Sequence, residues 1–251
     1  MTTLSFTPGG FRFIPAVFQY SGGVAAEPGF AIERMRFHTP VPMKEGFGRI
    51  KETLQSLGRP LTAFCACELR SPAPFTEDGF RAFNEVYAGT LREWGLFDGT
   101  TNPVARSNVC PEVDPPAEPS FHAFCYTVPT PGGSRDFVVA GSGEALEGRG
   151  DYRDNTVRYG ETAPDAIREK ALYVLGEMER RMQALGYAWA DTTATQVYTV
   201  HDLHPFLGDE IVRRGAARSG LTWHFNRPPV RDLEYEMDCR GIATERVDHK
   251  P

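Results

Sequence analysis

The chain has 251 residues, of which 41% are hydrophobic and 24% charged, a balance typical of globular proteins. Its formal net charge of −6, with no run of like charges, argues against a nucleic-acid partner, which would need a clustered basic surface. No apolar run approaches the roughly 18 residues of a membrane-spanning helix, and the first residues lack the basic start and apolar core of a signal peptide. We therefore expect a cytoplasmic protein with no membrane association.

From residue 30 onward, strand and helix signals alternate. Phe47, Ile50 and Leu54 recur every three or four residues, which predicts an amphipathic helix that stops at Gly58. Thr76 can cap a second helix. The predicted elements of this half are strand 30–39, helix 44–57, strand 61–70, helix 77–94, and strands 105–110 and 121–128. Residues 1–29 are rich in Gly, Pro and aromatics, show no clear period and receive no assignment.

A linker composition, Pro129-Thr-Pro-Gly-Gly-Ser134, separates this half from a second one. The best helix signal follows Thr162-Ala-Pro-Asp165, which supplies a cap, an early proline and an acidic first turn. The predicted elements of the second half are strand 137–145, helix 166–185, strand 193–200, helix 205–217, and strands 221–225 and 233–241.

Both halves read strand, helix, strand, helix, strand, strand, and an internal duplication is the simplest explanation. The sequence therefore predicts an α+β protein made of two tandem domains. The first spans residues 1–128, a linker spans 129–136, and the second domain spans 137–251.

The five cysteines and the paired histidines do not form a recognisable metal motif. Cys65 and Cys67 would share one face of a strand, and no Cys-x-x-Cys pair occurs. His201 and His204 lie at a predicted strand-to-helix junction, where a turn is the more typical role. We expect buried thiols in a reducing compartment, no metal and no cofactor.

Several short segments occur in a suggestive order. Asn84 and Tyr87 lie three residues apart on the second helix, and Arg106 follows Pro-Val-Ala. In the second half, Ser142-Gly143 ends a strand, and Glu234 lies in the closing Leu-Glu-Tyr-Glu-Met strand. These segments resemble the RidA (YjgF-type) family of enamine/imine deaminases. The resemblance implies two chorismate-mutase-like domains, each a mixed sheet with two helices on one face. It also implies a homo-oligomer, a trimer being the usual family form, with ligand clefts between neighbouring copies.

The two halves lack complementary parts of the family pattern. The first half has Asn84 and Arg106, but its closing strand carries no glutamate. The second half has Ser142, Gly143 and Glu234, but no matching arginine or asparagine. We therefore predict one hybrid cleft in which the first set faces the second. The cysteine that the family places two residues after its arginine is Asn108 here.

The resemblance implies hydrolytic deamination of a small enamine or imine that carries a carboxylate, with an aminomuconate-like catabolite as one candidate. Arg106 would hold the carboxylate, because a guanidinium presents a matching fork of donors. Glu234 would assist a water, and Asn84, Ser142 and Gly143 would supply hydrogen bonds. The alternatives are a surface ion pair for Arg106 and an ordinary exposed strand position for Glu234. A non-catalytic binder of small carboxylic acids is the alternative function, since only catalysis needs the glutamate.

Overall fold

The computed structural model describes residues 1–146 and 151–249. The strands are β1 (Leu4–Phe6), β2 (Phe11–Phe13), β3 (Gly23–Ala26), β4 (Phe30–Pro42), β5 (Phe64–Arg70), β6 (Ala105–Pro111), β7 (Ser120–Pro129), β8 (Phe137–Gly143), β9 (Ala194–Tyr198), β10 (Thr222–His224), β11 (Asn226–Arg227), β12 (Glu236–Gly241) and β13 (Thr244–Asp248). The helices are α1 (Met43–Ser56), α2 (Glu77–Glu93), α3 (Tyr152–Asn155), α4 (Pro164–Leu185) and α5 (His204–Phe206).

The strands form two mixed sheets, ordered β11-β6-β5-β7-β4-β13 and β1-β2-β3-β8-β12-β9-β10. In the first sheet, β5 lies between parallel β6 and antiparallel β7, and β7 pairs with antiparallel β4. In the second, β9 lies between parallel β10 and antiparallel β12, and β12 pairs with antiparallel β8. The four central strands of both halves thus share one order and one set of directions, as the repeated element order predicts. The domain bounds themselves stay a prediction.

The chain termini exchange strands between the two sheets. Residues 1–29, which the sequence pattern left unassigned, form β1, β2 and β3, and β3 pairs with β8 of the second sheet. At the other end, β13 pairs in parallel with β4 of the first sheet. The Arg34 guanidinium reinforces that pairing, because it lies 3.2 Å from the Glu245 carboxylate. Each sheet therefore contains a strand from the opposite end of the chain.

The helices follow the predicted apolar stripes. The N-cap Thr76 accepts a hydrogen bond from the Gly79 amide at 3.1 Å, and α4 has a proline in its first turn and ends at Gly186 in the left-handed region. The predicted helix 205–217 is much shorter: α5 passes directly into a π-helical turn, Leu207–Val212. Among the described residues, no helix is both long and apolar enough to span a membrane.

Three apolar clusters hold the layers together. One packs α1 and α2 on the first sheet, and a second packs α4 on the second sheet. The third lies between the sheets and contains mostly small side chains, among them Ala66, Ala105 and Ala140. Small residues let the two sheets approach closely, and this close approach builds the cavity described next.

Candidate functional site

A cavity lies where β6, the neighbour of edge strand β11 in the first sheet, meets β8 of the second. Gly141 makes the approach possible: a β-carbon at this position would lie 2.9 Å from the Ser107 β-carbon and would collide with the Glu236 carboxylate. The envelope of the cavity, its open mouth included, measures about 440 Å³. Its lining residues are Tyr20, Phe80, Arg106, Asn108, Gly141, Gly143, Ala145, Tyr152, Pro229, Val230, Leu233 and Glu236.

Among the described residues, Arg106 is the cation that lines this cavity, and it is 2% exposed. Four aromatic rings surround its guanidinium, with centroids 4.8 to 5.8 Å from the central carbon; they belong to Tyr87, Tyr20, Phe83 and Phe80. Its Nη1 is buried without a hydrogen bond, and residues 1–146 and 151–249 give it no ion-pair partner. Because a buried charge without a counter-ion is costly, this environment favours an anionic ligand.

Two ionisable groups next to Arg106, Cys67 and Tyr87, do not offset its charge. The Cys67 sulfur lies 3.4 Å from the Tyr87 hydroxyl. Burial raises the pKa of Cys67 to about 12, and burial also raises the pKa of Tyr87. Both groups are therefore neutral near pH 7, and the positive charge of Arg106 faces the cavity uncompensated by them.

Within the part of the chain that the structure describes, Glu236 is the acidic side chain that lines the cavity, and it is 4% exposed. It begins β12, where it pairs with Gly143 on one side and with Tyr198 on the other. Arg106 comes from the first half of the chain and Glu236 from the second. One chain therefore brings a cation and a carboxylate from its two halves to a single cavity.

A buried ion pair fixes the entry to β12. Lys170 Nζ lies 3.1 Å from Glu144, and both side chains are fully buried. The same carboxylate accepts hydrogen bonds from the backbone amides of Glu234 at 2.6 Å and Tyr235 at 3.1 Å. Burial raises the pKa of Glu144, whereas Lys170 opposes this shift. The pair thereby holds the segment that leads directly into Glu236.

Behind the cavity, a polar cluster ties the two sheets together. The Asp238 carboxylate accepts hydrogen bonds from Ser107 at 2.6 Å, Gln196 at 2.8 Å and Tyr198 at 2.8 Å. Burial, followed by the charge of nearby Glu68, raises the pKa of Asp238. In the described parts of the chain, no group of three or more His, Cys, Asp or Glu side chains is arranged to hold a metal ion.

The predicted site residues divide into two groups. Arg106 and Gly143 line the cavity, whereas Asn84, Ser142 and Glu234 do not. The Asn84 amide nitrogen donates to the Phe80 carbonyl at 2.7 Å. Ser142 lies on the opposite face of β8, where its hydroxyl accepts from Arg181 at 3.4 Å.

The Glu234 carboxylate lies outside the cavity, 2.7 Å from His201 Nε2 and 3.7 Å from Arg227 Nη1. The sequence reasoning missed Glu236, although it is the second glutamate of the same Leu-Glu-Tyr-Glu-Met segment. It also missed Tyr20 and Tyr152, which lie in segments without a periodic signal. These two tyrosines, with Phe80, also line a second, wider hollow next to the cavity.

Comparison with known proteins adds independent information. The family model described as 2-aminomuconate deaminase CnbZ matches residues 3–246. A 2-amino-5-chloromuconate deaminase from Comamonas testosteroni is 52% identical over 244 residues, which cover 96% of this chain and 97% of that protein. Among solved structures, a chorismatase is similar with a TM-score of 0.50 at 16% identity, covering 88% of this chain and 77% of that one. The last likeness concerns the fold alone.

Proposed function

Because this chain belongs to the 2-aminomuconate deaminase CnbZ family, we propose that it hydrolyses the enamine or imine of a 2-aminomuconate-like acid, releasing ammonia. The buried guanidinium of Arg106, with an unpartnered Nη1 and no ion pair in the described chain, carries this proposal. Such a group recognises the carboxylate next to the carbon that bears nitrogen, and the aromatic rings around it suit a flat conjugated substrate.

The reaction needs only water and proton transfers. Protonation of the enamine on carbon converts C–N into C=N. A water oxygen then bonds to that carbon while the C=N π electrons move to nitrogen, and a base takes one proton from the water. After this proton reaches nitrogen, the C–N bond breaks and ammonia leaves. The hydroxyl oxygen forms the C=O bond and releases its proton, which balances the proton taken up at carbon. Substrate plus water thus gives a 2-oxo acid plus ammonia, with no change of redox state.

We assign the proton transfers to Glu236 rather than to Glu234. Glu236 lines the same cavity as Arg106, whereas Glu234 is engaged by His201 and Arg227 outside it. A carboxylate between two sheets, within a partly apolar wall, is well suited to exchange protons with an attacking water. Gly141 and Gly143 leave backbone exposed along one side of the cavity, where it can contact a planar substrate.

Ammonia release from 2-aminomuconate generated in the assay tests the proposal. Replacing Glu236 with Gln should lower kcat by about 10²- to 10⁴-fold, the usual contribution of a general acid or base. Binding of a 2-oxo dicarboxylate should change little in this variant. Replacing Arg106 with Met should weaken that binding by about 30-fold or more, as expected for a desolvated charge pair.

The alternative function, binding of small carboxylic acids without turnover, makes a different prediction. In that case Arg106→Met would still weaken binding, but the wild-type protein would release no ammonia. Glu236→Gln would then have no turnover to lower. Undiminished turnover in both variants would show that the chemistry occurs elsewhere in the molecule.

A further inference from the structure

The cavity contains a second buried donor besides Arg106. Asn108 is 3% exposed, lines the cavity and lies two residues after Arg106 on β6. Because side chains alternate along a strand, the two residues project from the same face. The Asn108 amide nitrogen is buried without a hydrogen bond, as is Arg106 Nη1.

The oxygen of the Asn108 side-chain amide is fixed by a hydrogen bond. Its oxygen accepts a hydrogen bond from the Ser71 hydroxyl at 2.9 Å, and Ser71 is fully buried. The Ser71 backbone is fixed in turn, since its amide donates to the Val109 carbonyl at 2.9 Å. This contact leaves the amide nitrogen as the free end of the side chain. A buried donor without an acceptor is costly, so two of them on one face of one strand indicate a shared acceptor.

We propose that Asn108 is a substrate-specificity residue whose amide nitrogen donates to the carboxylate held by Arg106. This inference rests on the proposed function, since the carboxylate belongs to the 2-imino or 2-enamino acid. Arg106 supplies the positive charge and hydrogen bonds to the carboxylate. Asn108 supplies a neutral donor whose direction is fixed. Together they select a planar carboxylate next to the reacting carbon over a neutral amide or ester at the same place.

A structural role for Asn108 would use only its bond to Ser71. Two variants separate the roles. Ser71→Ala removes that bond but leaves the Asn108 amide able to reach a ligand. Asn108→Leu removes the same bond and the donor while keeping a side chain of similar size. If Asn108 binds substrate, Asn108→Leu should weaken 2-oxo dicarboxylate binding and lower kcat/KM at least tenfold more than Ser71→Ala does.

The measurements are calorimetric titration with a 2-oxo dicarboxylate and ammonia-release kinetics, each accompanied by a thermal melt. Asn108→Thr, a strand-compatible polar replacement, covers the case in which the leucine variant does not fold, and it should also lose more affinity than Ser71→Ala. Equal losses in the Asn108 and Ser71 variants would overturn the proposal. A wild-type protein that binds the keto acid but releases no ammonia would refute the proposed function, while the binding comparison would still decide the role of Asn108.

Discussion

Replacing Lys170 with Met tests how the fold supports the site. The substitution keeps the volume of the side chain but leaves the Glu144 carboxylate, which is fully buried, without its cation. Removing one partner of a buried pair typically costs about 3–5 kcal/mol. Glu144 can limit this loss by taking up a proton. From its ordinary pKa of 4.5, protonation at pH 7 costs about 3.4 kcal/mol at about 1.36 kcal/mol per pH unit.

The same reasoning fixes the sign of the pH dependence. Without Lys170, the pKa of Glu144 in the folded protein rises further above its unfolded value, so the folded state binds a proton that the unfolded state lacks. Stability then falls as the pH rises above 4.5 and levels off above the raised folded pKa. We therefore expect Lys170→Met to lose about 3 kcal/mol at pH 7 and about 1.4 kcal/mol at pH 5.5.

Urea unfolding at the two pH values measures both quantities, with the exposed pair Arg213–Asp209 as a control whose disruption should change little. The double variant Lys170→Met/Glu144→Gln removes both charges, so its stability loss should not depend on pH. It should recover part of the loss at pH 7, because the Gln amide keeps one of the two oxygens that accept from the backbone amides of residues 234 and 235. A loss below about 1 kcal/mol, an equal loss at both pH values, or no recovery in the double variant would refute the reasoning.

Two further predictions concern the close approach of the sheets and the histidines. Gly141→Ala would drive a methyl group into the Glu236 carboxylate and the neighbouring strand, so we expect a loss of about 1–3 kcal/mol in urea unfolding and a lower kcat. Burial first, and then the charge of Arg70, lower the pKa of His122 to about 2 and of His224 to about 4. Because the unfolded state binds these protons more readily, stability should be complete above pH 6.5 and fall by about 1.4 kcal/mol per pH unit for each histidine between pH 6.5 and 4. A His122→Gln variant should show a shallower fall, and an unchanged slope would contradict this assignment.

Local sequence signals were enough to locate most helices and central strands. Phe47, Ile50 and Leu54 recur at helical spacing and are buried in α1, because an apolar stripe must face the sheet wherever the helix lies. The deaminase class, which the motifs around Arg106 and Glu234 led us to expect, is confirmed at the level of the family. Arg106 itself could be singled out because a short motif carried it.

The termini required the tertiary structure. The strands β1 to β3 are only three or four residues long, and Gly and Pro lie in the segments between them. Strands of this length are too short for a periodic pattern to appear. The pairing of β3 with β8, and that of β13 with β4, joins residues more than 100 positions apart. A short stretch of sequence carries no information about such a distant partner. A division of the chain at residues 129–136 therefore does not describe how each sheet obtains its outer strands.

The choice between two glutamates was also decided by distant contacts. In the sequence, Glu234 and Glu236 lie two positions apart on one predicted strand and look equivalent. In the fold, Glu144 takes the backbone amides of residues 234 and 235, so the ladder starts only at Glu236. The Glu234 carboxylate contacts His201, and Glu236 lines the cavity with Arg106. The sequence by itself led us to expect an arginine and a glutamate in one cleft, and the long-range hydrogen bonds of Glu144 decided which glutamate lines the cavity with Arg106.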